Sequence, residues 1–314
     1  MRKKIDRFLI IDHQLVAVLL CLTYLVDISV LSTFHKIGTY GTETDFYGGY
    51  AVEAQRIWQG KEYEYAWHGP GYPLLLGLIN LAFHDIFLSA KILSIISAAF
   101  VLFIGFKLFA TLFNSQFALL TLPILMVNAL FVRLSLSATT DMVFYLFSVA
   151  ALYLIFHGPA SYLKFTLTGG VAGLAYIIRT NGIFIPIGVV VSVFLLNYLR
   201  GSIKKRTYLV LAFFLGFLVV TLPVLKKNYQ RHHNPFYNVT YIAVAADYYG
   251  VKGPRGLSVE GFQDVEGRFN SIREIIRLDP WHFIKHFIRN TTVFLGKTVY
   301  QLVRFPLNIF LFLV

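Results

Sequence analysis

The sequence predicts an all-α integral membrane protein with about eight transmembrane helices. Hydrophobic residues make up 57% of the 314 residues, and charged residues only 14%. Apolar runs recur along the chain with a length close to the roughly 20 residues that cross a bilayer as a helix. One soluble core could not bury this much apolar surface, so we expect a single membrane domain over residues 1–314.

The first predicted span runs from about Leu15 to Phe34. The basic segment MRKKIDR precedes it, but no small-residue cleavage pattern follows, so we predict a retained span and not a cleaved signal peptide. Further spans are predicted at 88–110, 115–134, 142–157, 164–180, 183–199, 207–225 and 291–314.

The basic residues of the short loops predict the orientation, because Lys and Arg favour the cytoplasmic side of a membrane. The segment MRKKIDR precedes the first span, and the run from Arg200 to Arg206 joins the sixth to the seventh. Both lie on one side if every span crosses, so we predict a cytoplasmic N-terminus. The outer side of the cell or plasma membrane then holds two long loops, at about 35–87 and about 226–290.

Both outer loops contain amphipathic segments that predict helices lying in the membrane surface. From Phe46 to Trp58, apolar side chains recur at helical spacing, with Glu53 on the other face. Residues 281–289 repeat the pattern with His, Lys and Arg on the polar face. The segment GYPLLLGLINLAF, at 71–83, is too short to span and is expected to dip into the interface.

The net charge of +12 would by itself also suit a nucleic-acid-binding protein. In a membrane chain, however, basic residues collect in cytoplasmic loops and beside lipid headgroups, so no nucleic acid is expected. Cys21 is the only cysteine, which excludes an internal disulfide and a cysteine metal site. The adjacent His232 and His233 would diverge by about 100° on a helix, so no zinc site is predicted.

Two acids interrupt the apolar sequence on the predicted outer side: Asp45, in TETDFYGGY, and Asp141, in SATTDMVF. Either carboxylate could N-cap the helix that it precedes. An acid at the mouth of a helical bundle could also act as a base or hold a ligand. One residue can do both, so the two interpretations stay open.

Basic and amide groups lie on the same predicted side. Arg133 ends the third span, and Arg179 and Asn181, in YIIRTNGIF, interrupt an apolar run. Each arginine could be a snorkelling anchor or a phosphate ligand. Lys227 and Arg231, in LPVLKKNYQRHHNPFYN, could line a phosphate-bearing headgroup or form a solvated cationic flank.

These motifs resemble the GT-C membrane glycosyltransferases, in the group that holds the protein O-mannosyltransferases and the aminoarabinose transferases of lipid A. The stretch TDFYGGYAVEAQRIWQGKEYEYAWHGPGYPLLL is similar to their first outer loop, in which an Asp begins a helix. SATTDMVFYLF resembles their second outer acidic position and IIRTNGIFIP their Arg-x-x-Gly element. LPVLKKNYQRHHNPFY resembles the segment that opens a later outer loop, so the collinear resemblance covers about 45–240.

The resemblance implies a membrane-embedded enzyme that moves a sugar from a polyprenyl-phosphate donor to a hydroxyl acceptor at the outer face, with inversion. Asp45 would be the base. Asp141 would orient the acceptor or sugar, or share a divalent cation, Mg²⁺ or Mn²⁺, with Asp45; the family often works without a metal. The donor phosphate is assigned to Arg179, Lys227, Arg231 and Arg133. The acceptor or sugar pocket is assigned to Glu43, Tyr47, His68, Tyr72 and Asn181.

Two features depart from the family pattern. Lys227 stands where the family commonly has Arg before Asn228, and the chain stops inside an apolar run at Val314, where family members usually continue. We therefore expect a GT-C-like fold shortened at its C-terminus, with a membrane protein partner as one source of the missing elements. The alternative function is a non-catalytic GT-C-like subunit that scaffolds a larger membrane complex. Few buried charges and no inverted repeat disfavour a transporter or channel.

Overall fold

The computed structural model describes residues 12–36, 38, 43, 45–64, 67–195, 202–250, 252–253, 256–257, 265 and 268–302. These residues are mainly helical, with strands only at Lys252–Gly253 (β1) and Gly256–Leu257 (β2), which pair antiparallel. The predicted all-α membrane class is therefore confirmed. Where the sequence predicts one membrane domain, contacts divide the chain into two compact units, Met1–Phe236 and Tyr237–Val314.

The helices of each unit follow in chain order. In the first unit they are α1 (His13–Ser32), a π-helical turn at Phe46–Tyr50 that continues into α2 (Ala51–Trp58), α3 (Gly71–Phe83), α4 (Ile86–Leu112), α5 (Ser115–Met126), α6 (Ala129–Leu136), α7 (Asp141–Phe156), α8 (Tyr162–Ile178), a 3₁₀ turn at Thr180–Ile183, α9 (Phe184–Phe194) and α10 (Ile203–His232). In the second they are α11 (Thr240–Tyr249), α12 (Ile272–Leu278) and α13 (Pro280–Leu302).

Three of the described helices, α1, α4 and α10, are long and apolar enough to cross a membrane. Helices α5 and α6 are together long and apolar enough to cross a membrane, but they are bent by 67° where they meet, as in a broken span or a re-entrant loop. Helices α3, α7 and α8 and the segment Thr180–Phe194 are apolar but shorter. Each span predicted before residue 226 overlaps these helices, whereas the last, at 291–314, extends past residue 302 and outside the described residues. The number of crossings stays a prediction.

Helices α1 and α4 pack antiparallel, with a lysine of α4 near each end. Lys91 Nζ donates a 2.8 Å hydrogen bond to the backbone oxygen of Ser32, at the end of α1. Lys107 Nζ donates a 2.8 Å hydrogen bond to Gln14 Oε1, at its start. Both ammonium groups thus reach polar partners at helix termini, as basic residues of apolar helices do.

Helices α8 and α10 pack with their backbones in contact. A Cβ atom on Gly169 would lie 1.8 Å from the backbone oxygen of Phe213, and one on Gly216 would lie 1.9 Å from that of Thr166. Small residues permit this approach, which is a common way for helices to associate in lipid. The contact holds α8, and with it Arg179 at the C-cap of α8, against α10.

Helix α2 is buried on more of its surface than its amphipathic pattern predicts. Phe46, Tyr50 and Ala54 pack into a cluster with Tyr72. Glu53, predicted on the polar face, is also buried, because its Oε2 accepts a 3.0 Å hydrogen bond from the backbone N–H of Glu64. The chain after α2 thus covers the polar face of that helix.

The second unit has its own small core, formed by α11, α12 and α13. His286 Nε2 lies 2.9 Å from Asp247 Oδ2, and the His286 ring stacks on Tyr248 with ring centres 4.1 Å apart. Trp281 and Ile288 are exposed on α13. The predicted helix is therefore present, but Phe283 of the predicted apolar face and His286 of the polar face both pack on α11.

Candidate active site

Four residues that are distant in sequence meet at one end of the helices of the first unit, and we call them the candidate active site: Asp45, His68, Asp141 and Arg179. Asp45 precedes the π-helical turn, His68 lies shortly before α3, Asp141 begins α7 and Arg179 ends α8. The charges of Asp45, Asp141 and Arg179 all act on the imidazole of His68. The structure thus brings Asp141 beside a predicted phosphate ligand and places both predicted acids within electrostatic range of His68.

His68 is held by a turn that lies on the end of α8. A Cβ atom on Gly69 would lie 2.0 Å from the backbone oxygen of Ile177, so only glycine permits this approach. The imidazole stacks on Tyr50, with ring centres 5.7 Å apart, and the Tyr63 hydroxyl donates a hydrogen bond to the backbone oxygen of His68. The HGPG sequence therefore places the histidine next to the last turn before Arg179.

Burial lowers the pKa of the half-buried His68 below its ordinary value, and the positive charge of Arg179 lowers it further. The carboxylates of Asp45 and Asp141 act in the opposite direction but do not compensate. His68 is thus mainly neutral at neutral pH, and one ring nitrogen can accept a hydrogen bond.

Asp45 is exposed and its side chain does not cap the helix that follows. The cap interpretation is wrong because Asp45 has φ −89° and ψ 0°, away from the extended conformation typical of an N-cap, and the chain enters a π-helical turn. The carboxylate has no hydrogen bond or ion pair with any described residue. It is therefore available to an exogenous hydroxyl.

Asp141 forms an ion pair with Arg179. Thr140 Oγ1 lies 3.3 Å from the same guanidinium nitrogen, Nη1, and the Phe144 ring centre lies 5.9 Å from Arg179 Cζ. Asp141 is the first residue of α7, where a negative charge is favourable, but Thr140 occupies the cap position. The first turn of α7 thus holds the guanidinium.

The other predicted phosphate ligands lie in different surroundings. Lys227 donates a hydrogen bond to the backbone oxygen of Tyr63, and Arg231 pairs with Glu62. Both cations therefore attach the end of α10 to the segment after α2. Arg133 is exposed on α6, and its side chain has no hydrogen bond or ion pair with any described residue.

The residues assigned to the acceptor or sugar pocket also divide by exposure. Tyr47 and Asn181 are exposed, whereas Glu43 and Tyr72 are buried. The oxygens of Glu43 accept hydrogen bonds from the backbone N–H groups of Gly38 and Ala138, which indicates a structural role.

Sequence reasoning missed two contributors to the site. Thr140, which holds Arg179, was within the SATTDMVF motif but reads as a plain helix start. Tyr63 contacts Lys227 and His68 from a loop, and no local pattern indicates this.

An apolar groove begins beside Arg179 and runs between α7 and α9. Its volume is about 500 Å³. Phe144 and Asn181 line it near Arg179, and Phe156 lines it at the other end of α7. The rise from Phe144 to Phe156 is about 18 Å for an α-helix. The groove therefore offers an apolar surface that extends away from the guanidinium.

The charges of the site do not favour a divalent cation shared by the two acids. Among the described residues, no three His, Cys, Asp or Glu side chains lie close enough together to hold a metal ion. Asp141 is already paired with the positive charge of Arg179, which would repel a metal ion.

The apolar helices and the matching family model indicate a membrane glycosyltransferase of the GT-C type. The family model for dolichyl-phosphate-mannose-protein mannosyltransferase matches residues 67–226, about half of the chain, and the protein belongs to this family. The predicted resemblance to GT-C glycosyltransferases is thus confirmed. The match includes His68, Asp141 and Arg179 but begins after Asp45. Neither a curated protein nor a solved structure matches the chain.

Proposed function

We propose that this protein transfers a sugar from a polyprenyl-phosphate donor to a hydroxyl acceptor, with inversion at the anomeric carbon. One observation carries the proposal: Asp45, whose carboxylate has no hydrogen bond or ion pair with any described residue, and Arg179 lie within electrostatic range of the same histidine, His68, and the apolar groove begins near Arg179. A lipid-linked phosphate requires an apolar surface for its tail and a cation for its headgroup.

The donor would bind with its tail in the groove between α7 and α9 and its phosphate at Arg179. The groove lining is mainly aliphatic and aromatic, and Asn181 at its start offers an amide to the headgroup. Arg179 is 26% exposed in its side chain, so a phosphate can reach it without unfolding of the site. The planar guanidinium of an arginine can bind two oxygens of a phosphate through parallel N–H donors.

The chemistry is a single displacement. An oxygen lone pair of the acceptor hydroxyl attacks the anomeric carbon while the bond from that carbon to the phosphate oxygen breaks, and the electron pair of that bond leaves with the polyprenyl phosphate. Asp45 takes the proton of the hydroxyl, and neutral His68 can accept a hydrogen bond that orients the acceptor. Arg179 stabilises the negative charge that develops on the leaving phosphate. Attack opposite to the leaving group inverts the configuration.

Replacement of Asp45 by Asn tests this proposal in the full chain, reconstituted with polyprenyl-phosphate mannose and a hydroxyl acceptor. The amide is not a base at neutral pH, so transfer should fall about a hundredfold to ten-thousandfold while donor binding persists. Transfer within a few-fold of the parent would remove the base role. A folded parent that neither binds the donor nor transfers its sugar would favour the scaffolding subunit instead.

A further inference from the structure

The guanidinium of Arg179 is held along one edge only. Asp141 and Thr140 both bind Nη1, from the first turn of α7. The Nε and Nη2 groups have no hydrogen-bond partner among the described residues, and neither atom is sealed in the interior. A guanidinium has five N–H donors in a fixed fork, so a group that fixes one edge also fixes the direction of the other.

The guanidinium of this arginine lies where the dipole of α7 is unfavourable to a cation, although the end of α8 that carries its backbone favours one. The N-terminus of α7 carries the positive end of a helix dipole over its 16 residues, and a cation beside it is repelled. The Asp141 carboxylate offsets this repulsion at the point of contact. The ion pair links residues 38 apart in sequence, and both side chains remain about one quarter exposed.

We propose that Asp141 is a positioning residue: its carboxylate fixes the Nη1 edge of Arg179, so that the Nε and Nη2 edge faces the donor phosphate. The inference rests on the proposed function and assigns Asp141 a role other than base, metal ligand or sugar contact. Asp141 itself does not touch the reacting atoms. Its removal should therefore weaken recognition of the phosphate and, because Arg179 also stabilises the leaving phosphate, lower the rate at saturating donor.

The test compares binding of a polyprenyl phosphate with binding of the uncharged polyprenol of the same length, in the full-length protein in nanodiscs. Asp141→Asn keeps the shape of the side chain but loses its charge. We expect about tenfold weaker binding of the polyprenyl phosphate, since hydrogen bonds to charged groups are the stronger ones, and binding of the polyprenol within about twofold. Asp141→Glu, which restores the charge, should recover part of the loss.

A double-mutant cycle isolates the contact. In an Arg179→Gln background, Asp141→Asn should have almost no further effect on the affinity for the polyprenyl phosphate, because the two residues act as one unit. The rate of sugar transfer at saturating donor should fall in Asp141→Asn, but by less than the roughly hundredfold or more expected in Asp45→Asn, because the base is still present. If Asp141→Asn does not fold, Thr140→Val removes the second contact to Nη1, and we expect a smaller loss of the same kind.

Two negative outcomes are distinguishable. If the parent prefers the polyprenyl phosphate and Asp141→Asn retains that preference, the positioning role is overturned and the proposed function stands. The same holds if Asp141→Asn reduces the affinity for the polyprenyl phosphate as much in the Arg179→Gln background as in the parent. A parent that binds both lipids alike would overturn the proposed function, and the positioning role with it.

Discussion

The carboxylate of Glu43 accepts a 2.7 Å hydrogen bond from the backbone N–H of Ala138, 95 residues further along the chain. The same side chain accepts a 2.8 Å hydrogen bond from the N–H of Gly38 and lies 2.8 Å from His35 Nε2. Glu43 thus ties the segment that carries Asp45 to the turn that precedes Asp141. A buried residue thus links the two segments that carry the acids.

Glu43→Gln should destabilise the first unit. The amide places an N–H group among donors, which leaves buried groups without acceptors, so the free energy of unfolding should fall by about 1–3 kcal/mol. Unfolding in detergent, followed by circular dichroism, measures the loss. Glu64→Gln is the matched control, because Glu64 is 58% exposed in its side chain and its ion pair with Arg56 should contribute less than about 1 kcal/mol. Equal losses would contradict the structural role of Glu43.

Arg179→Gln should weaken binding of a polyprenyl phosphate by about tenfold to a hundredfold, because a charge-assisted contact to phosphate is lost. Arg133→Gln removes the same charge from an exposed position on α6 and should change the affinity by less than about twofold. Lipid binding to the purified protein, measured by native mass spectrometry, provides the comparison. Equal effects of the two substitutions would contradict the phosphate role of Arg179.

The helices of the first unit could largely be predicted from the sequence, because long apolar runs bounded by polar residues define them. The predicted spans 88–110 and 142–157 differ by no more than two residues at each end from α4 and α7. The predicted span 115–134 instead bends by 67°, since Asn128 caps a new helix by accepting hydrogen bonds from the N–H groups of Leu130 and Phe131. Pro123 and Asn128 are the residues of the sequence that indicate this bend.

The residues of the candidate site could be predicted from the sequence, but the contacts that they make with one another could not. Asp141 and Arg179 each interrupt an apolar run, which marks them, but their ion pair depends on how α7 and α8 pack. Lys227 resembles a phosphate ligand by its position, yet its ammonium binds the backbone of Tyr63, 164 residues away. Local patterns carry no information on contacts of this separation.

Gly188→Leu should fill the groove between α7 and α9. A Cβ atom at Gly188 meets no other atom within 4 Å, so the protein should fold normally with the added side chain. Binding of a long polyprenyl phosphate should weaken by about tenfold or more, while a water-soluble short-chain analogue should be affected less. Val191→Leu enlarges a residue that is on α9 but outside the groove lining, and should leave both affinities unchanged. Unchanged affinity for the long polyprenyl phosphate would place the tail elsewhere.

His68 should make the stability of the protein sensitive to acid. The pKa of His68 is lowered in the folded state, so the neutral imidazole contributes fully to the stability of the fold above its ordinary pKa. This contribution is lost as the pH falls through the lowered pKa. Between about pH 7 and pH 5, the unfolding temperature of the parent should fall more steeply than that of His68→Gln, which cannot titrate. Parallel pH profiles for the two proteins would show that His68 is not held in its neutral form.

The orientation in the membrane can be tested at the two ends of α10. This helix has 30 residues and is about 45 Å long, so its ends should lie on opposite sides of a bilayer if it crosses. Lys204 lies at its start, and Lys61 lies near the other end, because the neighbouring residues Glu62 and Tyr63 contact Arg231. In a Cys21→Ala background, a cysteine at Lys61 should react with an impermeant maleimide applied to intact cells, and one at Lys204 should react only after the cells are permeabilised. The opposite labelling would place the candidate active site on the cytoplasmic side, where a donor at the outer face could not reach Arg179.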